Sequence, residues 1–472
     1  MQSSERRLII IGAGSSGLGV ALAAARRGWR VLILEARDIG GGTSTTSTKL
    51  IHGGVRYLES AIRSLRWSDW QLVREALRER KWVLNSHPLL CRPVPIVLPV
   101  VSGWERFYYG VGLRVYDYLS YPYRLGAPQW IGREAFYEYF PSVKSGINGG
   151  WMYWDGQFQD RLYAVHLALY LVQRFGVEVR TYHQVVDIQA GLKGVQVIIQ
   201  SAKGEVYEET GDIVVNATGP WGDVLRRKLR PEVPSRIRVS RGSHLVLANL
   251  PELKAGFLIP RTADGRVLFI LPWENHTWLV GTTDEEADAP TWDAEVPPRE
   301  EEYLLTHLRR YFDVEGEVVA RFAGFRPLVA ADAQVSTARL ARNHVIEVWR
   351  EHKVIHLMGG KWTTFRAMGE DTMRAIYRHF LNLPMSEGME VSQIVPDLSE
   401  LERLKLEYPS PILPGEPYLE GEVIFWKRMG WAHTPDDIVK GRWQLHLINE
   451  KRAQRLKAAL SEKWQELGQK SH

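Results

Sequence analysis

The feature that most constrains the fold of this chain is a glycine-rich turn near its N-terminus, Gly12-Ala13-Gly14-Ser15-Ser16-Gly17. The turn follows an apolar segment, Leu8–Ile11, that predicts a strand, and it opens an alanine-rich segment that predicts a helix to Arg27. In this context the first glycine makes the tight turn, the second lets the backbone approach a pyrophosphate, and the third lets helix and strand pack closely. The sequence therefore predicts an α/β domain whose first helix points its N-terminus at phosphates.

An acidic residue after the second predicted strand supports this prediction. Glu35 follows Val31–Leu34, where a carboxylate can accept hydrogen bonds from both hydroxyls of an adenosine ribose and would repel a 2′-phosphate. A glycine-rich turn alone also occurs in ordinary loops. Because strand, helix and acid are in register here, the sequence predicts dinucleotide binding.

Two later strand ends carry turns of the same kind. Asp212–Val215 predicts a strand that leads into Asn216–Trp221, and Val354–Met358 predicts one that leads into Gly359–Thr364. Glycine in such turns lets a flat ring approach the backbone, and a helix after Gly360 would point its positive end at that ring. Since a reduced flavin gathers negative charge near N1, this arrangement favours a flavin. Gly41–Lys49, rich in hydroxyls, could line a second phosphate or the ribityl chain, although by itself an ordinary Ser/Thr loop is the simpler interpretation.

The remaining segments predict a different kind of unit. Residues 236–283 have the pattern of antiparallel strands with a hairpin turn at Glu274–His276, and residues 64–85 have a helical period. Glu300–Glu302 predict acids in the first turn of a helix, where the macrodipole favours them. Residues 395–417 predict a proline-rich linker, and Gly430–Gly468 a charged helical tail.

Composition narrows the range of functions. The 472 residues are 45% hydrophobic and suggest two or three domains, while a net charge of +5 permits an anionic substrate or an acidic membrane surface. Cys91 is the only cysteine, which excludes an internal disulfide and any zinc or iron–sulfur site built from cysteines. There is no signal-peptide pattern and no apolar run of membrane-spanning length, so we expect a soluble chain or one that lies on one face of a membrane.

Several further motifs together resemble one known family. The run Ser47–Glu59 is similar to the signature of FAD-dependent glycerol-3-phosphate dehydrogenases, and five more motifs follow in order, namely Arg241–His244, Leu271–Trp273, Gly281–Asp284, Gly324–Leu328 and Gly359–Arg366. Val55, Trp362 and Phe365 replace the family's usual Leu, Leu and Tyr. The C-terminal segment is also shorter than the family's, although Ala432–Arg442 still resembles its Thr-x-x-Asp element.

The resemblance implies a fold class and a reaction. The fold is α/β, with a Rossmann-like FAD-binding domain at 1–63, 151–235 and 351–384. An antiparallel β-sheet substrate (cap) domain is expected at 64–150 and 236–350, and a short C-terminal helical domain at 385–472. The reaction is oxidation of glycerol 3-phosphate to dihydroxyacetone phosphate by hydride transfer from C2 to flavin N5, with electrons passed to a membrane quinone. The expected location is cytoplasmic and peripheral on the inner face of the cell membrane, and a homodimer is left open.

The resemblance also implies the site residues. The residues expected to bind FAD are Gly12, Gly14, Ser16, Gly17, Glu35, Ala36, Thr43, Ser44, Ser47, Lys49, Leu50, Val186, Ala217, Thr218, Gly219, Gly359, Gly360, Lys361, Trp362 and Thr363. Arg326 and Arg342 are the expected phosphate ligands, since arginine suits bidentate phosphate contacts. Arg56 and Tyr57 close the other side of the substrate, and Thr283 with Asp284 orients the substrate or the arginines.

Oxidation of an alcohol also requires a base for the hydroxyl proton. Histidine suits this task because its neutral form is populated at pH 7. His52 and His244 both lie in matching motifs, and the sequence does not choose between them. Lys361 is expected to polarise the oxygen or to stabilise the reduced flavin.

Three other functions compete with this one. An oxidase on the same fold would pass electrons to oxygen and yield one peroxide per substrate. An amine or hydroxy-acid oxidoreductase of the same fold would have no need for two phosphate-binding arginines. A non-catalytic flavoprotein that binds a membrane or a partner would hold FAD that no polyol phosphate can reduce.

Two patterns resemble a metal site and a nucleic-acid site, but neither site is expected. His352 and His356 have the i,i+4 spacing of metal ligands, but Val354–Met358 is a predicted strand, and four extended residues span about 13 Å, so no metal site is expected. The basic run Arg226–Arg230 is interpreted as a solvated helix face rather than a nucleic-acid site.

The segment Gly103–Leu125 is the candidate for membrane contact. At helical spacing it forms one apolar, aromatic face, made of Trp104, Phe107, Tyr108, Val111, Val115, Tyr118 and Leu119. Arg106, Arg114 and Arg124 can meet anionic headgroups, as in a helix that lies in the membrane interface. Gly110 and Gly112 weaken the helix prediction, and the alternative is a helix that covers the substrate domain.

Overall fold

The computed structural model describes residues 6–54, 67–191, 194–262, 264–329 and 344–471. Its α-helices, numbered α1 to α12 in chain order, are Ser15–Ala25, Trp67–Ser86, Gly103–Ser120, Arg133–Tyr139, Asp160–Phe175, Gly222–Leu229, Pro298–Tyr311, Phe365–Ile376, Ser399–Glu407, Glu420–Arg428, Pro435–Val439 and Glu450–Gln469. Its strands, numbered β1 to β19, are Arg7–Ile11, Arg30–Leu34, Leu50–Ile51, Cys91–Val100, Gln129–Gly132, Gly149–Phe158, Glu178–Arg180, His183–Gly191, Gly194–Ser201, Val206–Gly211, Ile213–Asn216, Ile237–Ala248, Gly256–Ile259, Leu268–Pro272, Trp278–Gly281, Glu285–Ala287, Glu317–Val329, His344–Trp349 and Val354–Gly359.

The three predicted nucleotide-binding segments meet in one six-stranded sheet of order β18-β19-β11-β1-β2-β7. Strand β1 pairs in parallel with β2 and β11, and β11 pairs in parallel with β19. These strands are almost uniformly apolar and buried, as expected for a parallel sheet covered on both faces. Because the strands are parallel, the three glycine turns that follow β1, β11 and β19 lie at the same edge of the sheet.

Close packing of α1 fixes the geometry at this edge. A Cβ at Gly17 would overlap the carbonyl oxygen of Gly12, which is the predicted reason for the third glycine of the turn. Gly19 and Gly369 give α1 and α8 the same kind of close approach, because a Cβ on either would overlap a backbone carbonyl of the other helix's segment. The helix that follows the third turn is therefore packed directly against the helix that follows the first.

The predicted antiparallel unit is a ten-strand sheet in which β12 is central, pairing with β15, β16 and β17. The hairpin prediction is confirmed, since β14 and β15 pair in antiparallel register around the short turn Glu274–His276. One pairing differs from the prediction: β13 runs parallel to β4. A core of Phe136, Phe257 and Phe312 packs α4 and α7 against this sheet.

Sheet pairing disagrees with three of the predicted boundaries. Gly149–Phe158 pairs with Cys91–Val100 in the ten-strand sheet, so a boundary at 151 falls inside a strand of the cap. Leu50–Ile51 joins the same sheet, although the prediction assigned it to the FAD-binding domain. His344–Trp349 joins the nucleotide-binding sheet as an antiparallel edge strand, which was assigned to the cap. Chain order alone does not show which sheet a short edge strand joins.

Two interpretations of polar segments need correction. The predicted linker at 395–417 contains the helix Ser399–Glu407, which packs through the buried Leu404. In the basic run, Arg227 and Lys228 are exposed as predicted, whereas Arg226 is 1% exposed and pairs with Asp223 and Glu347. The partners of Arg226 are distant in sequence or on the helix's own first turn, which composition does not reveal.

The C-terminal helices are anchored to the nucleotide-binding sheet by buried polar contacts. Arg442 donates two hydrogen bonds to Asp38, at 2.7 and 2.8 Å, and both residues are buried. Tyr182 donates to Asp437 at 2.7 Å, just beyond strand β7. The segment after residue 385 thus packs on the FAD-binding unit.

Candidate functional site

A cavity of about 920 Å³ runs along the edge of the sheet where the three turns meet. It continues between the two sheets, so that its walls come from the turns, from β12 and β17, and from helix α3. Eighteen of the residues predicted to bind FAD line it; Gly17 and Lys49 do not. Chemically distinct groups therefore share one space, with glycine backbone at one end and charged side chains at the other.

The first turn leaves its phosphate-facing side open. Gly12 has a φ of 107°, and a Cβ there would lie 2.6 Å from the carbonyl oxygen of Ala217 in the second turn. The helix that starts at Ser15 has no side-chain cap, and Ser15 N donates to Ser44 Oγ at 2.9 Å. The free N–H groups of this first helical turn can bind an anion.

Glu35, the residue predicted to bind the adenosine ribose, lines the cavity after strand β2. Its carboxylate is 7% exposed and accepts hydrogen bonds from Ala13 N at 2.7 Å and Arg37 N at 2.9 Å. Burial raises its pKa, while the two backbone donors oppose that shift. Each carboxylate oxygen has a second lone pair, so the group can still accept both ribose hydroxyls.

Lys49 has a different role from the predicted one. Its ammonium group is fully buried, donates to Asp160 at 2.7 Å and to the carbonyl of Thr45 at 2.9 Å, and does not reach the cavity. Ser47 Oγ, which does line the cavity, donates to the same Asp160 at 2.8 Å. Asp160 thus holds the hydroxyl-rich segment in place, and the Lys49 side chain serves that fold rather than FAD.

The third turn is joined to the hydroxyl-rich segment by a hydrogen bond. Gly359 and Gly360 have φ values of 73° and 88°, which side chains rarely adopt. Trp362 Nε1 donates to the carbonyl of Ser44 at 2.6 Å, and the Trp362 ring packs edge-on against Phe158 and Tyr163. Trp362, one of the departures from the family pattern, therefore contacts the same serine whose Oγ accepts from Ser15 N in the first turn.

Arg326 is one of the cationic residues that line the cavity. Its guanidinium donates to the carbonyl of Thr283 at 3.1 Å and to Thr282 Oγ1 at 2.7 Å, and lies 3.7 Å from Asp284. It rests flat on Gly242, where a Cβ would overlap the guanidinium. Held in this way, the group faces a cavity large enough for FAD and a small substrate. The other residues predicted around the substrate, Arg56, Tyr57 and Arg342, lie outside the described residues.

Thr283 differs from its predicted role in one respect. Its hydroxyl donates to Glu300 at 2.6 Å and accepts from Ser243 N at 2.8 Å, so it is committed to the protein rather than to a substrate. Its carbonyl and the side chain of Asp284 contact Arg326, which matches the alternative expectation that these residues orient an arginine. The sequence predicted only a helix-dipole role for Glu300, and this contact was not predicted. The available signal was the alternation of side chains along Arg241–His244, which places Arg241 and Ser243 on the same face of the strand.

Both candidate bases, His52 and His244, line the cavity, as does Lys361. His244 is 1% exposed, its ring stacks on Phe322 at 4.7 Å, and its Nε2 lies 3.0 Å from Thr48 Oγ1. Burial lowers its pKa well below the usual range, and the nearby charges of Arg326 and Lys49 lower it further. His244 is therefore neutral at pH 7 and able to accept a proton.

A second buried network was not predicted from the sequence. Asp155 lines the cavity and accepts from Gly53 N at 2.9 Å and from Arg80 at 2.7 Å. Arg80 also contacts Tyr116 on helix α3, whose hydroxyl lies so close to Gly53 that a side chain there would overlap it. The segment that carries His52 is thereby fixed to α3.

The predicted amphipathic helix is present as Gly103–Ser120 and starts with a capping box between Ser102 and Glu105. Trp104 and Phe107 are 71% and 64% exposed, whereas Val115 and Leu119, predicted on the same face, pack inward near Tyr116. Gly110, which weakened the prediction, gives room for the Trp151 ring.

The described residues contain neither a membrane-spanning helix nor a metal-binding cluster. No helix in that part of the chain combines the length and apolarity needed to cross a membrane. Within the same ranges, no three His, Cys, Asp or Glu side chains group as a metal site requires.

Comparison with known proteins agrees with this geometry. A family model described as FAD dependent oxidoreductase matches residues 7–373. A probable mitochondrial glycerol-3-phosphate dehydrogenase of Dictyostelium discoideum is 35% identical over 95% of this chain and 78% of its own length. The human mitochondrial glycerol-3-phosphate dehydrogenase is 37% identical over 79% of this chain. That alignment covers 53% of the human protein, so the chain spans about half the length of its mammalian relatives.

Solved structures give the same fold. The glycerol-3-phosphate dehydrogenase of Bacillus halodurans, complexed with FAD, has a TM-score of 0.73 at 22% identity and covers 99% of this chain and 92% of its own. The L-alpha-glycerophosphate oxidase of Mycoplasma pneumoniae, with FAD bound, has a TM-score of 0.62 at 17% identity and covers 82% of this chain and 97% of its own. The chain belongs to the FAD dependent oxidoreductase family and, within it, to the FAD-dependent glycerol-3-phosphate dehydrogenases. FAD is its cofactor, and the predicted family, fold class and cofactor are confirmed.

Proposed function

We propose that this protein oxidises glycerol 3-phosphate to dihydroxyacetone phosphate. The observation that carries the proposal is the position of Arg326, whose guanidinium faces the same cavity as the three glycine turns. A phosphate monoester brings nearly two negative charges, and a fixed guanidinium matches it in charge and geometry. A simple amine gives no reason for this cation, and a carboxylate substrate would bring only one negative charge to it. We assign Arg342, Arg56 and Tyr57 to the same substrate on the strength of their motifs.

FAD, bound across the three turns, supplies the hydride acceptor. The residues of the chain have three tasks around it. Arg326 holds the phosphate and so orients C2, His52 or His244 accepts the proton of the C2 hydroxyl, and Lys361 places a positive charge beside the third turn. His244 is a candidate because its ring lines the cavity with Nε2 3.0 Å from Thr48 Oγ1; its lowered pKa leaves the ring neutral but makes it a weaker base than an exposed histidine. The base takes the proton from the C2 hydroxyl oxygen and the acceptor takes the hydride from C2 itself, so that a C=O bond forms at C2 and the product is a ketone.

We propose that the electrons then pass to a membrane quinone, with the protein peripheral on the cytoplasmic face of the membrane. The exposed face of Gly103–Ser120 supports this, since Trp104 and Phe107 have no described neighbours that cover them. Phe107, Tyr108 and Val111 of the same helix also line the cavity. The cavity therefore lies next to the exposed face of this helix. A helix of this makeup lies in the membrane interface.

The reaction is tested by product analysis. FAD-loaded protein is mixed with glycerol 3-phosphate and a soluble quinone, and dihydroxyacetone phosphate is assayed. We expect one product per quinone reduced, and no product with NAD or NADP as the acceptor. Absence of dihydroxyacetone phosphate would refute the proposal. Peroxide in equal yield to product, with quinone unused, would assign the oxidase activity instead.

Membrane contact is tested by sedimentation with anionic liposomes at low salt. We expect the wild type to sediment and the Trp104→Glu/Phe107→Glu variant to stay in the supernatant, because charge opposes insertion of that face. Leu89→Glu/Leu406→Glu is the matched control, since both leucines are more than 80% exposed and lie outside the helix. If the double variant sediments like the wild type, this helix is not the anchor.

A further inference from the structure

Glu300 is the most heavily hydrogen-bonded carboxylate behind the substrate end of the cavity. It is 3% exposed and lies in the first turn of helix α7. One oxygen accepts from Arg241, with Nε at 2.8 Å and a terminal nitrogen at 2.5 Å. The other accepts from Ser243 Oγ and Thr283 Oγ1, both at 2.6 Å. A helix-dipole role requires none of these four bonds.

The alternation of β12 explains why these bonds matter to the cavity. Successive side chains of a strand point to opposite faces, so Arg241 and Ser243 face Glu300 while Gly242 and His244 face away from it. Arg326 stands opposite Ser240 in the register of β12 with β17, and its guanidinium rests on Gly242. Glu300 therefore binds one face of β12, and the guanidinium of Arg326, which belongs to β17, lies on the opposite face.

A second connection runs through Thr283. Its hydroxyl is held by Glu300, and its carbonyl, on the same residue, accepts from Arg326 at 3.1 Å. The neighbouring Thr282 hydroxyl accepts from the other end of the guanidinium at 2.7 Å. Loss of the Glu300 carboxylate would release Thr283 and, with it, both contacts that aim the guanidinium.

We infer that Glu300 is a positioning residue for substrate binding, which sets the direction of Arg326 through Thr283 and Gly242. It touches neither substrate nor FAD. The inference rests on the proposed function in that Arg326 is taken to bind the substrate's phosphate. If Glu300 only stabilised the helix dipole, its neighbour Glu301 would matter equally. The positioning role instead predicts that Glu301 is dispensable for substrate binding.

The test uses FAD-loaded full-length protein in five forms: wild type, Glu300→Gln, Arg326→Ala, the double variant and Glu301→Gln. Glu301 is the matched control, because its substitution removes the same charge from the same helical turn, and among the described residues its ion pair is with Arg321, nearer the surface. We expect Glu300→Gln to raise KM for glycerol 3-phosphate about tenfold with kcat within about threefold, and Glu301→Gln to change KM less than about twofold. Because Glu300 acts through Arg326, kcat/KM of the double variant should equal that of Arg326→Ala.

Binding of inorganic phosphate, measured by calorimetry, gives a readout that does not depend on turnover. We expect Glu300→Gln to weaken it and Glu301→Gln to leave it unchanged. An unchanged KM in Glu300→Gln, equal losses in the two glutamate variants, or additive losses in the double variant would overturn the inference. If Glu300→Gln does not fold, Thr283→Val takes its place, since it removes only the hydroxyl held by Glu300 and should also raise KM.

Failure of the proposed function gives a different result. If the wild type forms no dihydroxyacetone phosphate, the proposed reaction is wrong, and the phosphate measurement alone judges Glu300. Weaker phosphate binding in Glu300→Gln then supports the positioning role. Equal binding, or no phosphate binding by the wild type, overturns it.

Discussion

The two ends of the cavity are built in different ways. The nucleotide end is formed mainly by backbone groups of the glycine turns and of the open N-terminus of α1. These groups and one acid, Glu35, lie within a few residues of strand ends. At the substrate end, Arg326 is aimed by Thr282 and Thr283 from another strand and backed by Glu300 from a helix. Local spacing determines the first kind of site, whereas register between distant strands determines the second.

The largest expected effect lies at the nucleotide end. Gly14→Val should abolish FAD binding, because its branched side chain would fill the space that the pyrophosphate must enter, close to Ser44 Oγ. Arg326→Ala should retain FAD, since it lies at the other end. The absorbance of the purified proteins and FAD released by acid measure this. A yellow Gly14→Val protein with full FAD content would break the distinction between the two ends.

Loss of the base should slow flavin reduction by about 10²–10⁴-fold without loss of FAD. His52→Ala and His244→Ala are compared by rapid mixing with glycerol 3-phosphate. The rate should also lose its decline at low pH in the variant that lacks the base. With His244 as the base, that decline in the wild type lies well below pH 6.5, because burial beside Arg326 lowers its pKa. Normal reduction rates in both variants would exclude both histidines.

Arg326→Ala should lower kcat/KM about 10–100-fold, since a charge-assisted hydrogen bond lost in a pocket costs about 1.5–3 kcal/mol. Steady-state kinetics with glycerol 3-phosphate measure the change. Arg321→Ala is the control, because Arg321 lies on the same strand but pairs with Glu301 nearer the surface. Wild-type kcat/KM in Arg326→Ala would remove the phosphate assignment.

The sequence predicts those parts of the site whose residues are neighbours in the chain. Gly17 and Glu35 were predictable because turn, strand and acid are neighbours in the chain. Lys49 was assigned to FAD because it stands in the right motif, yet its buried partner Asp160 comes from a helix more than a hundred residues later. Glu300 and Asp155 carried no motif: the pairing of β6 with β4 brings Asp155 to the cavity, and hydrogen bonds from β12 and Thr283 hold Glu300 of helix α7 behind the site. Thr283 lines the cavity, but the direction of its hydroxyl depends on a helix that no spacing rule connects to it.

The smallest expected effect concerns the buried histidine behind the second turn. His356 is fully buried against Asn216, and burial lowers its pKa to about 4. The unfolded chain binds this proton near pH 6.5, so stability is fully present above that pH and falls as the pH drops toward about 4. His356→Gln should lessen this fall, which is at most about 1.4 kcal/mol per pH unit for one proton. Urea unfolding at pH 7 and pH 5 measures it, and identical losses in both proteins would show that His356 is not responsible.

The central claim is that the backbone-built end and the side-chain-built end serve one reaction in one cavity. The most direct test is an anaerobic spectrum of the FAD-loaded protein during titration with glycerol 3-phosphate. We predict that the oxidised flavin absorbance is lost on addition of glycerol 3-phosphate, and that glycerol without the phosphate leaves it unchanged at the same concentration. A flavin spectrum that stays oxidised at saturating glycerol 3-phosphate would contradict the account.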